Sequence, residues 1–288
     1  MFFDKKQDEE IIREDLIPRS EFEKLKDLVD VHQNYLNNLY VFYDLKPTPF
    51  LKDFKNLSYE MLRLFDNICR KHDLQYWLDY STLLGALRHN DLISWDDTLN
   101  VGMMRNDYMR LIDISDELDF KNIVFDYMKD DDNCQRWLQL RYISNDLELM
   151  TVNVYPYDYL IGELPEGIKP KGDVEEIYSK LTFSDKKEKF YCPGIEGIHG
   201  KKRRFKFKVR ESEILFPLTK LQFGKYEFPA PNNTIKYIRK IYGKKYIDIP
   251  REIPKNDKLL KLRGILNIEE ILVSSCNGLK KVNDDYDF

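Results

Sequence analysis

The chain has 288 residues, 42% of them hydrophobic and 14% aromatic, enough apolar content for one elaborated domain or two small ones. Its 46 Lys and Arg nearly balance 50 Asp and Glu, which excludes the positive field of a general nucleic-acid binder; any anion recognition is local. Cys69, Cys134, Cys192 and Cys276 are far apart and form no CxxC pair, which argues against a zinc site and a disulfide scaffold.

The N-terminus, MFFDKKQDEEIIREDL, is charged from its fourth residue and has no apolar h-region, so it does not read as a secretory signal. No later run has the roughly 18 uncharged apolar residues of a membrane span. A cytoplasmic protein is expected. After Pro18, Ser20 and Glu23 have capping-box spacing. Phe22, Leu25, Val29, Leu36, Leu39 and Tyr40 then recur near helical period, predicting one long amphipathic helix. Lys46 to Pro49, KPTP, interrupts it.

A second helix is expected from about Leu51 to His72. Tyr76 to Asp79 reads as a short strand, Thr82 to His89 as a helical turn or two, and Leu99 to Met104 as a nearly continuous apolar strand. A helix with a polar cap follows over Asn106 to Leu118. Three strand-like runs come next, Asn122 to Met128, Arg136 to Ile143 and Leu147 to Tyr155, with a turn over Lys129 to Asn133. Lys201 to Arg210 is a basic run with Phe205, Phe207 and Val209 interleaved, as in a strand with apolar and charged faces. A diphosphate donor, an anionic glycan or an anionic membrane surface would suit it, in peripheral contact; so would a plain solvated face. Asn232 or Asn233 caps a short helix that stops at Gly243. The charged stretch after Pro254 reads as a frayed tail.

The centre of the chain carries the chemistry. A nucleotidyltransferase needs a strand, a small-residue turn opening a helix, and a strand presenting two carboxylates at i and i+2, which alternation puts on one face to hold Mg²⁺. Here the turn is Tyr80-Ser81-Thr82, the helix carries LLGALRH, and the acidic strand begins at Trp95-Asp96-Asp97. STLLGALRH, SWDD, VGMM and RNDY, in that order, closely resemble the LicD family, relatives of fukutin and fukutin-related protein. Val152 to Tyr159, VNVYPYDY, and the block LFPLTKLQFGKYEFPAPNNTIKYIRKIYG extend the resemblance from about Leu51 to Ile249.

The resemblance implies an α/β fold, a nucleotidyltransferase-type mixed sheet flanked by helices with an N-terminal helical extension. Its expected divisions are a helical extension at 1–50, the LicD-like domain at 51–250 and a charged tail at 251–288. It further implies transfer of phosphocholine or a phospho-polyol from a CDP-linked donor to a cell-surface glycan or glycolipid precursor such as lipopolysaccharide, with Mg²⁺ as cofactor. A glycan hydroxyl would attack the donor phosphorus, with metal and Arg88 stabilising the developing charge.

The departures from the family pattern fall on its catalytic positions. Thr98, Asn100 and Asn153 stand where the family has metal-binding aspartates, and Ser81 replaces a glycine. The expected catalytic set is therefore Asp96, Asp97, Thr98, Asn100 and Asn153, with Asp96 and Asp97 as the remaining metal candidates. Asp158 is either a surviving acid or a turn residue after Pro156. Ser81, Thr82, Arg88 and His89 are the expected donor-phosphate ligands; simple N-capping for the first two, and a structural hydrogen-bonded role for His89, are the plainer alternatives. Trp95 either stacks on a ring or packs in the core, and capping and packing account for Asp107 and Tyr108. The competing reading is a non-catalytic LicD-like protein that binds nucleotide, glycan or an active paralogue.

Overall fold

The computed structural model describes residues 18–42, 47–130, 135–159, 189–191, 210–249 and 257–286. The chain divides into two compact units, one of Met1–Lys46 with Ile247–Ile253 and one of Pro47–Tyr246 with Pro254–Phe288. In the first unit, helix α1 spans Arg19–Phe42. It starts one residue before Ser20, with the Pro18 carbonyl accepting from the Glu21 and Phe22 amides at 2.9 and 3.0 Å, so Ser20 lies inside the first turn.

The second unit is α/β. Thr48 caps helix α2 (Pro49–Lys71), whose proline sits at the first position, where its missing donor costs nothing. Strand β1 (Trp77–Leu78) leads into α3 (Tyr80–His89), β2 (Thr98–Met104) and α4 (Arg105–Ser115). The strand β2 runs directly into α4, so Met104 occupies the capping position without a side-chain bond and the expected polar cap is absent. Strands β3 (Ile123–Asp130), β4 (Gln135–Ser144) and β5 (Leu147–Tyr159) follow. The expected turn at Lys129 begins later, since Lys129 and Asp130 still belong to β3; residues 131–133 lie outside the described residues.

These strands pair in the order β1-β2-β5-β4-β3, with β2 and β5 parallel and the other neighbours antiparallel. Strand β6 (Lys189–Tyr191) extends the end of β5 and pairs in turn with β7 (Arg210–Glu211). Of the basic run, only Arg210 falls among the described residues, and Cys134 and Cys192 lie outside them. A short helix α5 (Ser212–Leu215), a hairpin of β8 (Thr219–Phe223) and β9 (Tyr226–Ala230), and helix α6 (Thr234–Tyr242) come next. Asn233 caps α6 by accepting from the Lys236 amide at 3.0 Å, and Gly243 ends it.

Alternation gives the sheet two different faces. Leu99, Val101, Val152 and Val154 are buried in the core, and α2 packs against β5. On the opposite face Gly102 lies under Trp77, where a Cβ would come 2.5 Å from the indole ring, so glycine alone fits.

Residues 257–286 are not a frayed tail. They form α7 (Asp257–Arg263) and α8 (Ile268–Tyr286), and α8 packs along α2. Ile268, Leu272, Ser275 and Leu279 are buried at spacings of four, three and four; the surrounding charges mask this stripe in the sequence. The fully buried Glu60 of α2 is matched by donors from distant elements. Lys225 Nζ and Tyr226 OH donate to its Oε1 at 2.7 and 2.9 Å, and Asn283 Nδ2 to its Oε2 at 3.2 Å. No helix among the described residues is long and apolar enough to cross a membrane.

Candidate functional site

The site is built where α3 begins beside β2 and β5. Asp79 adopts extended backbone and caps α3, its carboxylate accepting from the Tyr80 amide at 2.8 Å. This carboxylate is fully buried. It also accepts from Tyr237 OH at 3.1 Å and from Tyr157 OH, while Trp77 Nε1 donates to Tyr237 OH at 3.1 Å. Tyr80 itself sits at φ 43°, a left-handed conformation that is strained for a non-glycine residue.

The Asp79 carboxyl group already occupies the helix N-terminus, where an anionic ligand would otherwise gain from the helix dipole. The two hydroxyls expected to cradle a phosphate are used within the protein. Thr82 Oγ1 is buried and accepts from the Asn100 backbone amide at 2.7 Å. Ser81 Oγ accepts from Asn100 Nδ2, also at 2.7 Å. Together they tie α3 to β2. Arg88 and His89 lie in the last turn of the helix, seven or eight residues beyond Ser81 and therefore about 10 Å along its axis. The positive charge of Arg88 there favours the negative helix end. The four expected phosphate ligands are thus split between the two ends of α3.

The positions of the missing carboxylates are brought together. In the parallel pairing of β2 with β5, Thr98 faces Thr151 and Asn100 faces Asn153. Both asparagines are buried. Gln139 Nε2 donates to Asn153 Oδ1 at 2.8 Å, Asn153 Nδ2 donates to Asn100 Oδ1 at 3.1 Å, and Asn100 Nδ2 donates on to Ser81. Tyr155 OH adds a second donor to Asn100 Oδ1 at 3.3 Å. The result is a neutral ladder across β4, β5, β2 and α3, with one direction of donation and each amide group engaged.

Asp97 does not join this ladder, and Asp96 meets it only at its end, through Ser81. Asp96 folds back on its own turn, Oδ1 accepting from the Asp97 amide at 3.0 Å and from the Thr98 amide and hydroxyl at 3.4 Å. Burial pushes its carboxyl up to about 6; a hydrogen bond with Ser81 works against that rise and the Asp97 charge adds to it. Asp158 is part of β5 rather than a turn. It is buried in a bidentate pair with Arg105, whose Nε and terminal nitrogen donate at 2.8 and 2.6 Å. Trp95 packs against the hydrophobic core. Tyr108 is buried, and Asp107 lies in the first turn of α4, accepting from Arg110 at 3.2 Å.

The magnesium ion implied by the fold family does not fit these residues. Mg²⁺ takes hard oxygen ligands and sheds its water reluctantly, so it needs carboxylate charge. Asn100 Oδ1 instead accepts two hydrogen bonds and Asn153 Oδ1 accepts one. Among the described residues, no group of three or more His, Cys, Asp or Glu side chains is placed to hold a metal.

Sequence reasoning missed Asp79, Gln139, Tyr155, Tyr157 and Tyr237. Three of these had a signal. Asp79 stands directly before a helix, as capping residues do, and Tyr155 and Tyr157 share the face of Asn153 by alternation. Nothing local marks Gln139 or Tyr237, which arrive through pairing of β4 and packing of α6.

The site falls within a region that resembles known proteins. Residues 73–161 match the LicD/FKTN/FKRP nucleotidyltransferase-domain family. The Haemophilus influenzae lipopolysaccharide cholinephosphotransferase LicD is 34% identical over 64 residues, 22% of this chain and 24% of that protein. An uncharacterized protein of Rickettsia prowazekii, RP689, is 28% identical over 184 residues, 64% of this chain and 53% of its own length. Human ribitol 5-phosphate transferase FKRP is 24% identical over 211 residues, 71% of this chain and 34% of that protein. The chain therefore spans from about a quarter to about half the length of these relatives.

Proposed function

We propose, for a chain that belongs to the LicD family through its nucleotidyltransferase domain at residues 73–161, a phosphotransferase-type role in which magnesium-dependent transfer is impaired and ligand recognition is kept. The ligands we assign are a CDP-linked alcohol phosphate and a glycan acceptor, met in the cytoplasm. Relatives named as a cholinephosphotransferase and a ribitol 5-phosphate transferase support that choice of donor. One observation carries the proposed impairment, the neutral ladder Gln139–Asn153–Asn100–Ser81.

Phosphoryl transfer is achieved mostly by positioning and by stabilising charge on the phosphoryl oxygens, largely through metal ions. An amide ladder supplies neither charge nor open oxygen ligands. It does supply a rigid, uncharged support beneath Ser81 and Tyr155.

Calorimetric titration of CDP-choline and CDP-ribitol into the full chain, with and without Mg²⁺, and measurement of CMP release test the reading. The comparison protein is a triple variant, Thr98→Asp with Asn100→Asp and Asn153→Asp. We expect binding by the native chain that is indifferent to Mg²⁺, with CMP release appearing only in the triple variant. Robust magnesium-dependent CMP release by the native chain refutes the proposed impairment.

A further inference from the structure

Helix α1 carries an apolar pattern of its own. Phe22, Leu25, Val29, His32, Leu36 and Leu39 are spaced alternately three and four apart, the a and d positions of a coiled-coil seam. The helix is 24 residues long, more than three heptads, and an a/d repeat sustained over three to four heptads marks a coiled coil. Within its own compact unit the described part of this seam is uncovered. Phe22, Leu25, Val29 and Leu36 are 43 to 58% exposed, and the flanking Leu28, Val31 and Tyr35 are at least half exposed. An apolar stripe of that extent on a soluble protein marks an interaction surface. A hydrogen bond from Gln33 Nε2 to the Ile249 carbonyl, 2.6 Å, engages position e, beside the seam rather than on it.

The charges around the seam select the occupant. With Phe22 at a, Glu21 falls at g and Lys26 at the e position of the next heptad. In a parallel pair of identical helices, g of one chain meets the following e of the other, so Glu21 meets Lys26 twice. Within its own helix Lys26 has only a loose pair with Glu23 at 3.9 Å, with both side chains about half exposed, an interaction of little worth. The helix bears Arg19, Lys24 and Lys26 against Glu21, Glu23, Asp27 and Asp30. That balance lacks the basic face with which amphipathic helices bind anionic lipid. His32 is the one polar residue among the first five seam positions; a lone polar seam residue weakens association and fixes the register.

We propose that Arg19–Phe42 is a parallel two-stranded coiled-coil segment through which two copies of this chain associate. Light scattering on size-exclusion fractions and sedimentation equilibrium over a concentration series test this on the full chain, with circular dichroism confirming that each variant stays folded. The native chain is expected at twice the monomer mass. Leu25→Asp with Val29→Asp abolishes the dimer. Lys26→Glu raises the dissociation constant roughly tenfold, and Glu21→Lys combined with Lys26→Glu restores it. A native chain that stays monomeric, a dimer indifferent to the seam variant, or a charge swap that restores nothing overturns the proposal. So does a monomer that co-sediments with phosphatidylcholine–phosphatidylserine vesicles through this helix, which would make the seam a lipid contact.

Discussion

Asn153 donates from Nδ2 to Asn100 Oδ1 across 3.1 Å, joining two parallel strands by their side chains at the centre of the sheet. Carboxylates at both positions would place like charges in that contact and remove both donors. The double variant Asn100→Asp with Asn153→Asp is therefore expected to lose about 2–4 kcal/mol of stability in EDTA. Magnesium should return part of that loss, whereas the melting temperature of the native protein should be the same in EDTA and magnesium. Thermal unfolding of the two proteins in both buffers is the check.

The Arg105–Asp158 pair joins the start of α4 to the end of β5, and its carboxylate is buried. Either single change breaks a bidentate pair around a buried carboxylate, so Asp158→Asn or Arg105→Met should each cost about 3 kcal/mol in urea denaturation. The pair replaced together, Arg105→Met with Asp158→Leu, should cost less than either single change. A double variant at the sum of the singles would show that the two groups are not coupled.

Asp96 predicts a stability that falls as pH rises. Its carboxyl is raised by burial from 3.8 to about 6, so the folded state holds the proton more tightly than the unfolded state. The contribution is complete below pH ~4 and is lost as pH rises through about 6. Denaturation midpoints measured from pH ~4 to pH ~8 should decline for the native chain over that window. In Asp96→Asn this part of the slope should vanish, leaving the variant the more stable protein at neutral pH and above.

Glu148 predicts the opposite slope lower on the scale. Burial alone would raise its carboxyl, but hydrogen bonds from Lys258 Nζ at 2.6 Å and from Thr151 and Arg141 outweigh burial and hold it at about 2. The folded state here binds its proton more weakly than the unfolded state. Its stabilisation is complete above about 4.5 and is lost as pH falls toward about 2. Lys258→Met should reduce the loss seen on acidification, read from the acid-unfolding midpoint.

Local pattern was enough to reveal much of the fold. The strands β2 and β5 and the asparagine cap of α6 are short-range signals, and the structure has each of them, whereas Tyr80-Ser81-Thr82, expected as a turn, is the first turn of α3. Placing Asn100 beside Asn153 required only that β2 and β5 pair in register. The failures were long-range or masked. The buried stripe of α8 is hidden among charges, and Asp158 reads as a surviving acid or a turn residue because its partner Arg105 belongs to another element. Ser81 and Thr82 read as phosphate ligands because their bonds to Asn100 span eighteen and nineteen residues. Asp79, the actual cap, reads in the sequence as the end of a strand.

Glu60 gives the molecule a schedule for its synthesis. Its buried carboxylate receives a bond from Asn283, 223 residues later in the chain. At ~5–20 residues per second, a ribosome needs roughly 10 to 45 s to cover that distance. Through that interval α2 has no α8 beside it, and the acid waits for a donor that has not been made. The nascent domain must therefore keep the α2 surface open, or covered by something else, until its last helix emerges.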